Sequence, residues 1–438
     1  MPNFTITTLG CKVNQCESEA ISASLTADGW SSAAENQPAQ LCIVNTCAVT
    51  SKAAMQSRQA VRKLIRSHPR ARIVVTGCYA QTEPEEISRI KGIHDVIDHG
   101  RKHRIPQIVQ SPKGGPRSPD LPPASGPDDS QLFAQFPAAA AGHRSRPFLK
   151  IHDGCDAFCT YCIVPHARGA GRSMEMEDVL ARLTQLQAAG FHEVVLTGIH
   201  LGAYGMDLQP SPASLFELLL KIHESKAMDR IRLSSIEPFE LNEDIIMLAA
   251  QSGSICHHFH VPLQSGDDEI LRKMHRPYTR AVFKDLIHRL HHYLPEAAIG
   301  TDVLVGFPGE SEAAFDHTCG LIEELPLTYL HVFPFSPRKQ TPASRFPGQV
   351  PSKVTRERCR KLRDIGNIKK LSFYDSFIGK KLEVLVEGRE ARTTGNVKGI
   401  TSNYIPVYLD HQEGLKNTLV SVSIDRVTGG RVFGTVME

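Results

Sequence analysis

The first hundred residues alternate short apolar runs with longer segments in which apolar residues recur at helical spacing. The apolar runs are "FTITTLG", "LCIVNT", "RIVVTG" and the shorter "DVI", and residues 51–66 between two of them follow a helical pattern. A rhythm of strand, helix and strand is typical of a parallel sheet. We therefore predict a small α/β domain with a parallel sheet over residues 1–101.

A second series of strands and helices follows a stretch rich in Pro, Gly, Ser and Ala. Residues 102–146 have no sustained apolar period, which predicts a linker. Beyond it, strands are predicted at "FLKIH", "EVVLTG", "RIRLSS", "HFHVPL", "IGTDVLVG" and "LTYLHVF". Six such units exceed a small doubly wound sheet and fall short of a closed eight-stranded barrel, so residues 147–374 predict a partial (β/α)6 barrel.

The last segment changes period again. Residues 375–438 contain the short runs "KLEVLVEG", "NYIPVYL", "LVSVSI" and "RVTGGRVFGTV", the last with a Gly-Gly turn. This pattern predicts a small antiparallel β-barrel. The whole chain of 438 residues, 41% hydrophobic, is thus expected to be an α/β protein with more than one core.

The cysteine content and the N-terminus narrow the chemistry. The chain has eleven cysteines, an odd number, and its start, "MPNFTITTLG", lacks a charged region followed by a long apolar run. No later window approaches a membrane span. We expect a cytoplasmic protein without membrane contact, in which cysteines serve metal or redox chemistry rather than a disulfide framework.

Three cysteines directly follow the first three predicted strands. Cys11 follows "TLG", Cys47 follows "VNT" and Cys78 follows "VTG". Because parallel strands end at one edge of their sheet, where open α/β folds bind ligands, these thiols are expected to converge.

A second set of cysteines is crowded into "DGCDAFCTYCIVPHARG". Cys155, Cys159 and Cys162 follow the first barrel strand, where such folds carry their active sites. Thiolates suit iron-sulfur clusters or zinc. A zinc site completed by His152 or His166 stays open, although the Cys-x3-Cys-x2-Cys run lacks the paired C-x2-C spacing of usual zinc modules.

The same stretch resembles the radical S-adenosylmethionine signature in the form used by methylthiotransferases. The resemblance implies a 4Fe-4S cluster in which three irons bind Cys155, Cys159 and Cys162 and the fourth binds S-adenosylmethionine. The stretches "TLGCKVNQ", "VNTCAVT" and "VTGCYAQ" resemble the N-terminal motifs of that family. They imply a second, auxiliary 4Fe-4S cluster whose ligands are Cys11, Cys47 and Cys78.

Four further stretches resemble the strand ends of the family's barrel, namely "LTGIHLGAYG", "SSIEP", "HVPLQSG" and "GTDVLVGFPGE". They imply that Thr197 and Gly198 contact the methionine amino group of the cofactor. Glu237 is expected to accept hydrogen bonds from the ribose hydroxyls, and Gln264 to line the same mouth. The terminal domain resembles TRAM, an RNA-binding β-barrel.

Within the family, "TLGCKVNQ" looks most like the branch that modifies threonylcarbamoyladenosine in tRNA. The resemblance implies that a 5′-deoxyadenosyl radical removes hydrogen from C2 of the modified adenine at position 37, next to the anticodon. Sulfur from the auxiliary cluster then joins C2, and a second S-adenosylmethionine methylates it. An external electron donor is required, and the sulfur donor is unknown. A departure from the branch is Cys16, where an aromatic residue is commoner.

Three alternatives remain at this point. The enzyme could act on isopentenyladenosine in tRNA or on an aspartate of a ribosomal protein. The third alternative is a non-catalytic RNA-binding protein stabilised by zinc.

Residues 353–375 predict a basic helix with an apolar stripe at Val354, Leu362, Ile365, Ile368 and Leu371. The segment has eight basic and three acidic residues, whereas the whole chain has a net charge of only +3. A basic helix before an RNA-binding type of barrel favours a surface that follows tRNA phosphates.

We expect the protein to act as a monomer.

Overall fold

A computed structural model describes residues 1–34, 37–110, 144–390, 396–411 and 414–437. The chain divides into a first unit, Met1–Gly142, His152–Met174 and Ser336–Ser344, and a second unit, His143–Ile151, Glu175–Phe335 and Arg345–Glu438. The domain boundaries drawn from the sequence stay a prediction. Most of the predicted linker, residues 111–143, lies outside the described residues.

The first unit contains a parallel sheet flanked by helices. In chain order it has β1 (Asn3–Thr8), α1 (Lys12–Ala27), β2 (Ser31–Ser32), β3 (Leu41–Thr46), α2 (Ser51–Ser67), β4 (Arg72–Gly77), α3 (Cys78–Thr82), α4 (Pro84–Ser88), β5 (Asp95–Val96), a 3₁₀ turn (Lys102–Arg104) and α5 (Ile105–Gln110). The strand order is β2-β1-β3-β4-β5, and every pair is parallel. The predicted parallel sheet is confirmed, and the carboxyl ends of β1, β3 and β4 are neighbours.

The central strands of this sheet are buried on both faces. Alternate residues of β3 and β4 pack into two separate apolar clusters, with Cys42 and Val44 in one and Leu41 and Ile43 in the other. A strand that is covered on both faces typically has a continuous apolar sequence, and "LCIVNT" is such a sequence. The helix α2 begins where the Thr50 side chain accepts a hydrogen bond from the backbone N–H of Ala53.

The chain passes between the two units within one strand. β6 (Phe148–Asp153) begins in the second unit, and its last two residues belong to the first. In the first unit, α6 (Val164–Arg168) follows, and β7 (Arg172–Ser173) pairs antiparallel with the end of β6.

The second unit continues with alternating helices and strands. They are α7 (Met176–Ala188), β8 (Glu193–Gly198), α8 (Leu215–Ser225), β9 (Arg230–Leu233), α9 (Glu243–Gln251), β10 (His258–His260), α10 (Asp268–Lys273), α11 (Arg280–Tyr293), β11 (Ala298–Val305), α12 (Glu312–Glu324), β12 (Tyr329–Pro334) and α13 (Ser352–Asp375). The strands β6, β8 and β9 are neighbours in one sheet and β10, β11 and β12 in another, with a parallel bridge between Ile231 and Ile255. The predicted six-stranded partial barrel is confirmed.

The second unit ends in a closed five-stranded barrel. Its strands are β13 (Lys381–Glu390), β14 (Asn396–Thr401), β15 (Pro406–Asp410), β16 (Leu419–Thr428) and β17 (Arg431–Val436), in the order β13-β14-β15-β17-β16. The predicted small barrel is confirmed. It is not wholly antiparallel, because β15 and β17 pair in parallel. The sequence pattern missed β14, whose central Gly399 is unusual in a strand.

The predicted basic helix is confirmed as α13, but its apolar stripe is partly wrong. Ile368 is 69% exposed and Leu371 is 38% exposed. Arg358 instead takes a buried position, where Glu310 and Glu312 bind its guanidinium at 2.7 and 2.9 Å. Ion pairing therefore lets a charged residue replace an apolar one on the buried face. None of the described helices combines the length and the apolarity that crossing a membrane requires.

Gly300 and Gly320 give opposite expectations for the same substitution. A Cβ on Gly300 in β11 would lie 2.0 Å from Cζ of Tyr329, so Gly300→Ala should destabilise the second unit by about 1–3 kcal/mol. A Cβ on Gly320 in α12 would meet no atom within 4 Å, so Gly320→Ala should stabilise it by up to about 1 kcal/mol. Urea-dependent hydrogen exchange of β11 and α12 amides measures both, and equal effects would contradict the packing described here.

Candidate metal centres and cofactor site

Three cysteines of the first unit stand at the carboxyl ends of adjacent strands. Cys11 follows β1 and caps α1, Cys47 follows β3, and Cys78 opens α3 after β4. Gly10 has a φ of +98°, and a Cβ there would lie 2.9 Å from the Cβ and Sγ of Cys47. Only glycine allows the loop before Cys11 to approach Cys47 this closely.

The thiols interact electrostatically with one another. The pKa of Cys47 is raised to about 11, chiefly by burial and in smaller part by the neighbouring Cys78 and Cys11. Burial also raises the pKa of Cys78, whereas Arg168 and Lys102 lower it. The three thiols therefore share one electrostatic environment, as the strand pattern predicted.

Near this triad lies a buried network of one amide, Asn14, and four charged side chains, Glu17, Lys102, Asp153 and Arg168. The Nζ of Lys102 donates to Glu17 Oε2 at 2.5 Å. The guanidinium of Arg168 donates to Glu17 Oε1 at 3.0 Å, to Asp153 Oδ1 at 2.7 Å and to Asn14 Oδ1 at 2.6 Å. The side chains of Glu17, Lys102 and Arg168 are at most 2% exposed. Each buried charge is thus paired, which burial requires.

The second set of cysteines lies in the loop between β6 and α6. Cys155 N–H donates to Gly169 O at 3.0 Å, and Cys162 N–H donates to Cys159 O at 2.9 Å. Gly154 has a φ of +77°, and a Cβ there would lie 1.8 Å from Ala170 O. Phe158, between two of the cysteines, has a positive φ of 45°, which is rare for a bulky residue. The loop is therefore held in one unusual conformation.

Both donor sets fit iron-sulfur clusters. Each has three thiols on a constrained backbone, and thiolates are the usual ligands of such clusters. The cations Lys102 and Arg168 lie within electrostatic reach of Cys78, where they favour its deprotonated form. Buried cations and hydrogen bonds around thiolates are the groups that set the properties of a bound cluster.

The other predicted site residues belong to the second unit and stand at neighbouring strand ends. Thr197 and Gly198 end β8, Glu237 lies in the loop after β9, and Gln264 follows β10. Burial raises the pKa of Glu237, although its partner Arg276 lowers it. Gln264 has a φ of +64° and pairs with β11, where its N–H donates to Asp302 O at 2.9 Å.

One polar group of the second unit was missed by sequence reasoning. The ligand atoms of His260, Asp302 and His331 lie within 4.8 Å of one another. Burial alone would raise the pKa of Asp302, but hydrogen bonds from both histidines outweigh it and hold that pKa well below its usual range. Period-2 spacing places Asp302 on the same face of β11 as Gly300. His260 and Asp302 stand in motifs that carried the resemblance, whereas His331 does not.

Comparison with known proteins agrees with this architecture. Residues 3–98 match the model of an uncharacterized protein family, UPF0004, and residues 149–322 match that of the Radical SAM superfamily. The solved structure of TsrM, a radical S-adenosylmethionine methyltransferase from Kitasatospora setae, has the same fold, with a TM-score of 0.59 and 16% identity, over 78% of this chain and 77% of that one. The partial barrel and its cysteine loop thus define a radical S-adenosylmethionine protein.

Curated relatives identify the family more closely. A threonylcarbamoyladenosine tRNA methylthiotransferase, MtaB, of Bacillus subtilis is 36% identical over 97% of this chain and 94% of its own. A tRNA-2-methylthio-N(6)-dimethylallyladenosine synthase of Oceanobacillus iheyensis is 31% identical over 99% of this chain and 84% of its own. The chain belongs to the radical S-adenosylmethionine methylthiotransferase family. It is an enzyme that uses S-adenosylmethionine and 4Fe-4S clusters, as predicted.

Removing Arg168 should cost the first unit much of its stability. Arg168→Met leaves Glu17 and Asp153 buried with less compensation, which should destabilise the unit by about 3–5 kcal/mol. The matched change Arg89→Met removes an exposed pair with Glu85 and should cost within about 1 kcal/mol. Urea unfolding of the apoprotein can be followed by the fluorescence of Trp30, the single tryptophan, which packs against the core of this unit. Similar costs for the two variants would contradict the assignment.

Proposed function

We propose that this protein attaches a methylthio group to C2 of N6-threonylcarbamoyladenosine at position 37 of tRNA. The observation that carries the proposal is the similarity, over nearly the whole chain, to curated enzymes named for this nucleoside, at 33–37% identity. Relatives named for dimethylallyladenosine are 30–31% identical. The first cysteine motif, "TLGCKVNQ", favours the same branch.

We assign the ligands of the two clusters to the two cysteine sets. Cys155, Cys159 and Cys162 hold the cluster that binds S-adenosylmethionine, with one iron left without a protein ligand. The auxiliary cluster is held by Cys11, Cys47 and Cys78. The constrained loop around Gly154 supports the first assignment, and the adjacent strand ends support the second.

S-adenosylmethionine on its cluster supplies a radical able to remove hydrogen from an unreactive C–H bond. The protein's own residues bind and orient the reacting groups. Thr197 and Gly198 offer backbone and hydroxyl groups to the methionine part of the cofactor, and Glu237, held by Arg276, accepts from its ribose hydroxyls. Gln264 lies at the neighbouring strand end, where its left-handed backbone fixes the direction of its side chain.

The partners follow from this chemistry. The substrate is tRNA, an external donor supplies electrons, and the enzyme acts as a monomer. A base stacked in the anticodon loop has to be splayed out to expose C2, as bases of single-stranded RNA segments usually are when proteins recognise them.

Iron analysis tests the cluster assignment. Anaerobically reconstituted protein should contain about eight irons per chain, because each of two clusters holds four. Replacing Cys155, Cys159 and Cys162 by Ala should leave about four, and so should replacing Cys11, Cys47 and Cys78. A control with Ala at the buried Cys256, Cys319 and Cys359 should keep about eight. Loss of all iron from the control, or none from either triad variant, would contradict the assignment.

Nucleoside mass spectrometry tests the substrate. Bulk tRNA from a strain lacking this protein should contain threonylcarbamoyladenosine without its methylthio form, because this protein is the enzyme proposed to add the sulfur. The wild-type chain should restore the methylthio form, and Cys159→Ala should not, because it removes a ligand of the first cluster. If methylthio-threonylcarbamoyladenosine persists in the deletion strain and methylthio-dimethylallyladenosine disappears, the other tRNA branch is correct.

A further inference from the structure

A cavity of about 420 Å³ lies within the second unit, between the partial barrel and the small terminal barrel. Its walls are the start of β12, one face of α13 and the turn between β14 and β15. Its lining includes Tyr329, Arg363, Lys370, Phe373, Lys398 and Tyr404. Its volume is in the range of about 300–1,000 Å³ that is usual for small-ligand sites.

The cavity wall combines cations with aromatic rings. Arg146, Arg363, Lys370 and Lys398 line it, and none of the described lining residues is acidic. Arg146 binds Glu387 at 2.7 Å, and Arg363 donates to Val332 O at 3.1 Å. Lys370 and Lys398 form no ion pair with any described residue. The positive charges of these two lysines are therefore available to an anionic ligand in the cavity.

Besides Arg363, three of the other cations of α13 are already engaged. Arg358 binds Glu310 and Glu312, Lys361 binds Asp316 at 3.5 Å, and Lys369 donates to the backbone oxygens of Glu323 and Leu325. Fewer cations of this helix are therefore available to a ligand than the sequence suggests. Lys370 is one of the available cations.

The turn that carries Tyr404 is held in a strained conformation. Tyr404 has a φ of +65°, which is rare for an aromatic residue. Its ring stacks on His258 at 4.2 Å, and Arg232 donates to the backbone oxygens of Thr401 and Ser402 at 2.9 and 2.8 Å. Strain that surrounding contacts maintain at a cavity wall is typical of a binding site.

The cavity runs from the amino ends of β11 and β12 toward the predicted cofactor edge of the same unit. Its amino-end wall includes Ala298 and Tyr329, the first residues of the two strands, whereas Gln264 bridges to Val303 further along β11. Five residues of strand, at about 3.3 Å each, separate Ala298 from Val303 by about 17 Å. The lining also includes His331, which pairs with Asp302 directly before Val303, so a group lies away from the cofactor edge only where it is held at the amino end of the cavity.

We propose that the amino end of this cavity binds one nucleotide of the tRNA strand other than the modified one. Lys370 and Lys398 contact its phosphate, and its base lies against the aromatic wall of Tyr329, Phe373 and Tyr404. Cations beside aromatic rings are the usual means of holding single-stranded nucleic acid. The inference rests on the proposed function, because it takes tRNA as the substrate.

Binding of an anticodon stem-loop RNA to the reconstituted full chain tests the phosphate contacts. The double variant Lys370→Ala/Lys398→Ala should bind about tenfold more weakly at low salt, and its log-log salt slope should fall by about 0.7, because both lysines contact one phosphate. The control Lys221→Ala/Lys284→Ala makes the same charge change on the outer helices α8 and α11. It should bind within about twofold of wild type.

The aromatic wall is tested at the strained turn. Tyr404→Asn removes the ring, and asparagine tolerates the left-handed backbone, whereas Tyr404→Phe keeps the ring. Each base of the loop is removed in turn from the RNA. At one position, removing the base should weaken wild type and Tyr404→Phe alike, by about fivefold to a hundredfold, and should weaken Tyr404→Asn clearly less, because only Tyr329 and Phe373 remain to contact the base. Equal losses in all three proteins at every position would contradict a base contact at Tyr404.

The outcomes separate this inference from the proposed function. If wild type binds and methylthiolates tRNA while the lysine double variant binds like its control, the cavity assignment is wrong and the proposed function stands. If free adenosine or uridine monophosphate binds as tightly as the stem-loop, with the same dependence on Lys370 and Lys398, the cavity serves a free nucleotide and the inference is overturned. If wild type does not bind tRNA at all, both fail.

Discussion

The first unit depends on the buried guanidinium of Arg168. Arg168 is the last residue of α6, the short helix that follows the loop of Cys155, Cys159 and Cys162. Its guanidinium donates to Asp153 at the start of that loop. The same guanidinium donates to Asn14 and Glu17 on α1, the helix that Cys11 caps. The guanidinium is planar and has several donors in fixed directions. It thereby links the loop of Cys155 to the helix that follows Cys11, although the bonded residues are 151 and 154 positions apart in sequence. A lysine could not satisfy so many acceptors in one plane.

This linkage has an electrostatic consequence for the metal centres. Arg168 and Lys102 lower the pKa of Cys78, against the larger effect of burial. A cluster needs deprotonated thiols in a dry environment, and dry environments disfavour thiolates. Two cations near Cys78 offset part of this cost, and the carboxylates of Glu17 and Asp153 in turn stabilise the buried cations.

In the second unit, the two ends of the parallel strands have different roles. At the carboxyl ends lie the residues proposed for the cofactor, held by contacts such as that between Glu237 and Arg276. At the amino ends of β11 and β12, the terminal barrel and α13 form a positively charged cavity. The division follows from the fold, since parallel strands gather their loops at one end and leave the other to be covered by an added domain. In our proposals, chemistry takes place at one end and the RNA strand is anchored at the other.

The sequence by itself determined most of the strands and helices and the positions of the cysteines among them. Continuous apolar runs such as "LCIVNT" predict buried parallel strands, and a cysteine directly after such a strand has to lie at the sheet edge, so the convergence of Cys11, Cys47 and Cys78 was predictable. The motif around Cys155 was likewise readable, because its spacing is local. Such inferences hold because periodicity and spacing act over a few residues.

Only the tertiary structure decided which charges are paired and which remain available to a ligand. Lys102 and Glu17 are 85 residues apart, and no local pattern relates them. The exposure of Ile368 and the burial of Arg358 changed part of the expected buried face of α13, because the acidic partners of Arg358 come from the segment around Glu310. The closeness of His260, Asp302 and His331 likewise depends on the register of three strands. Pairing between distant groups is set by how elements pack, and packing is a property of the folded chain as a whole.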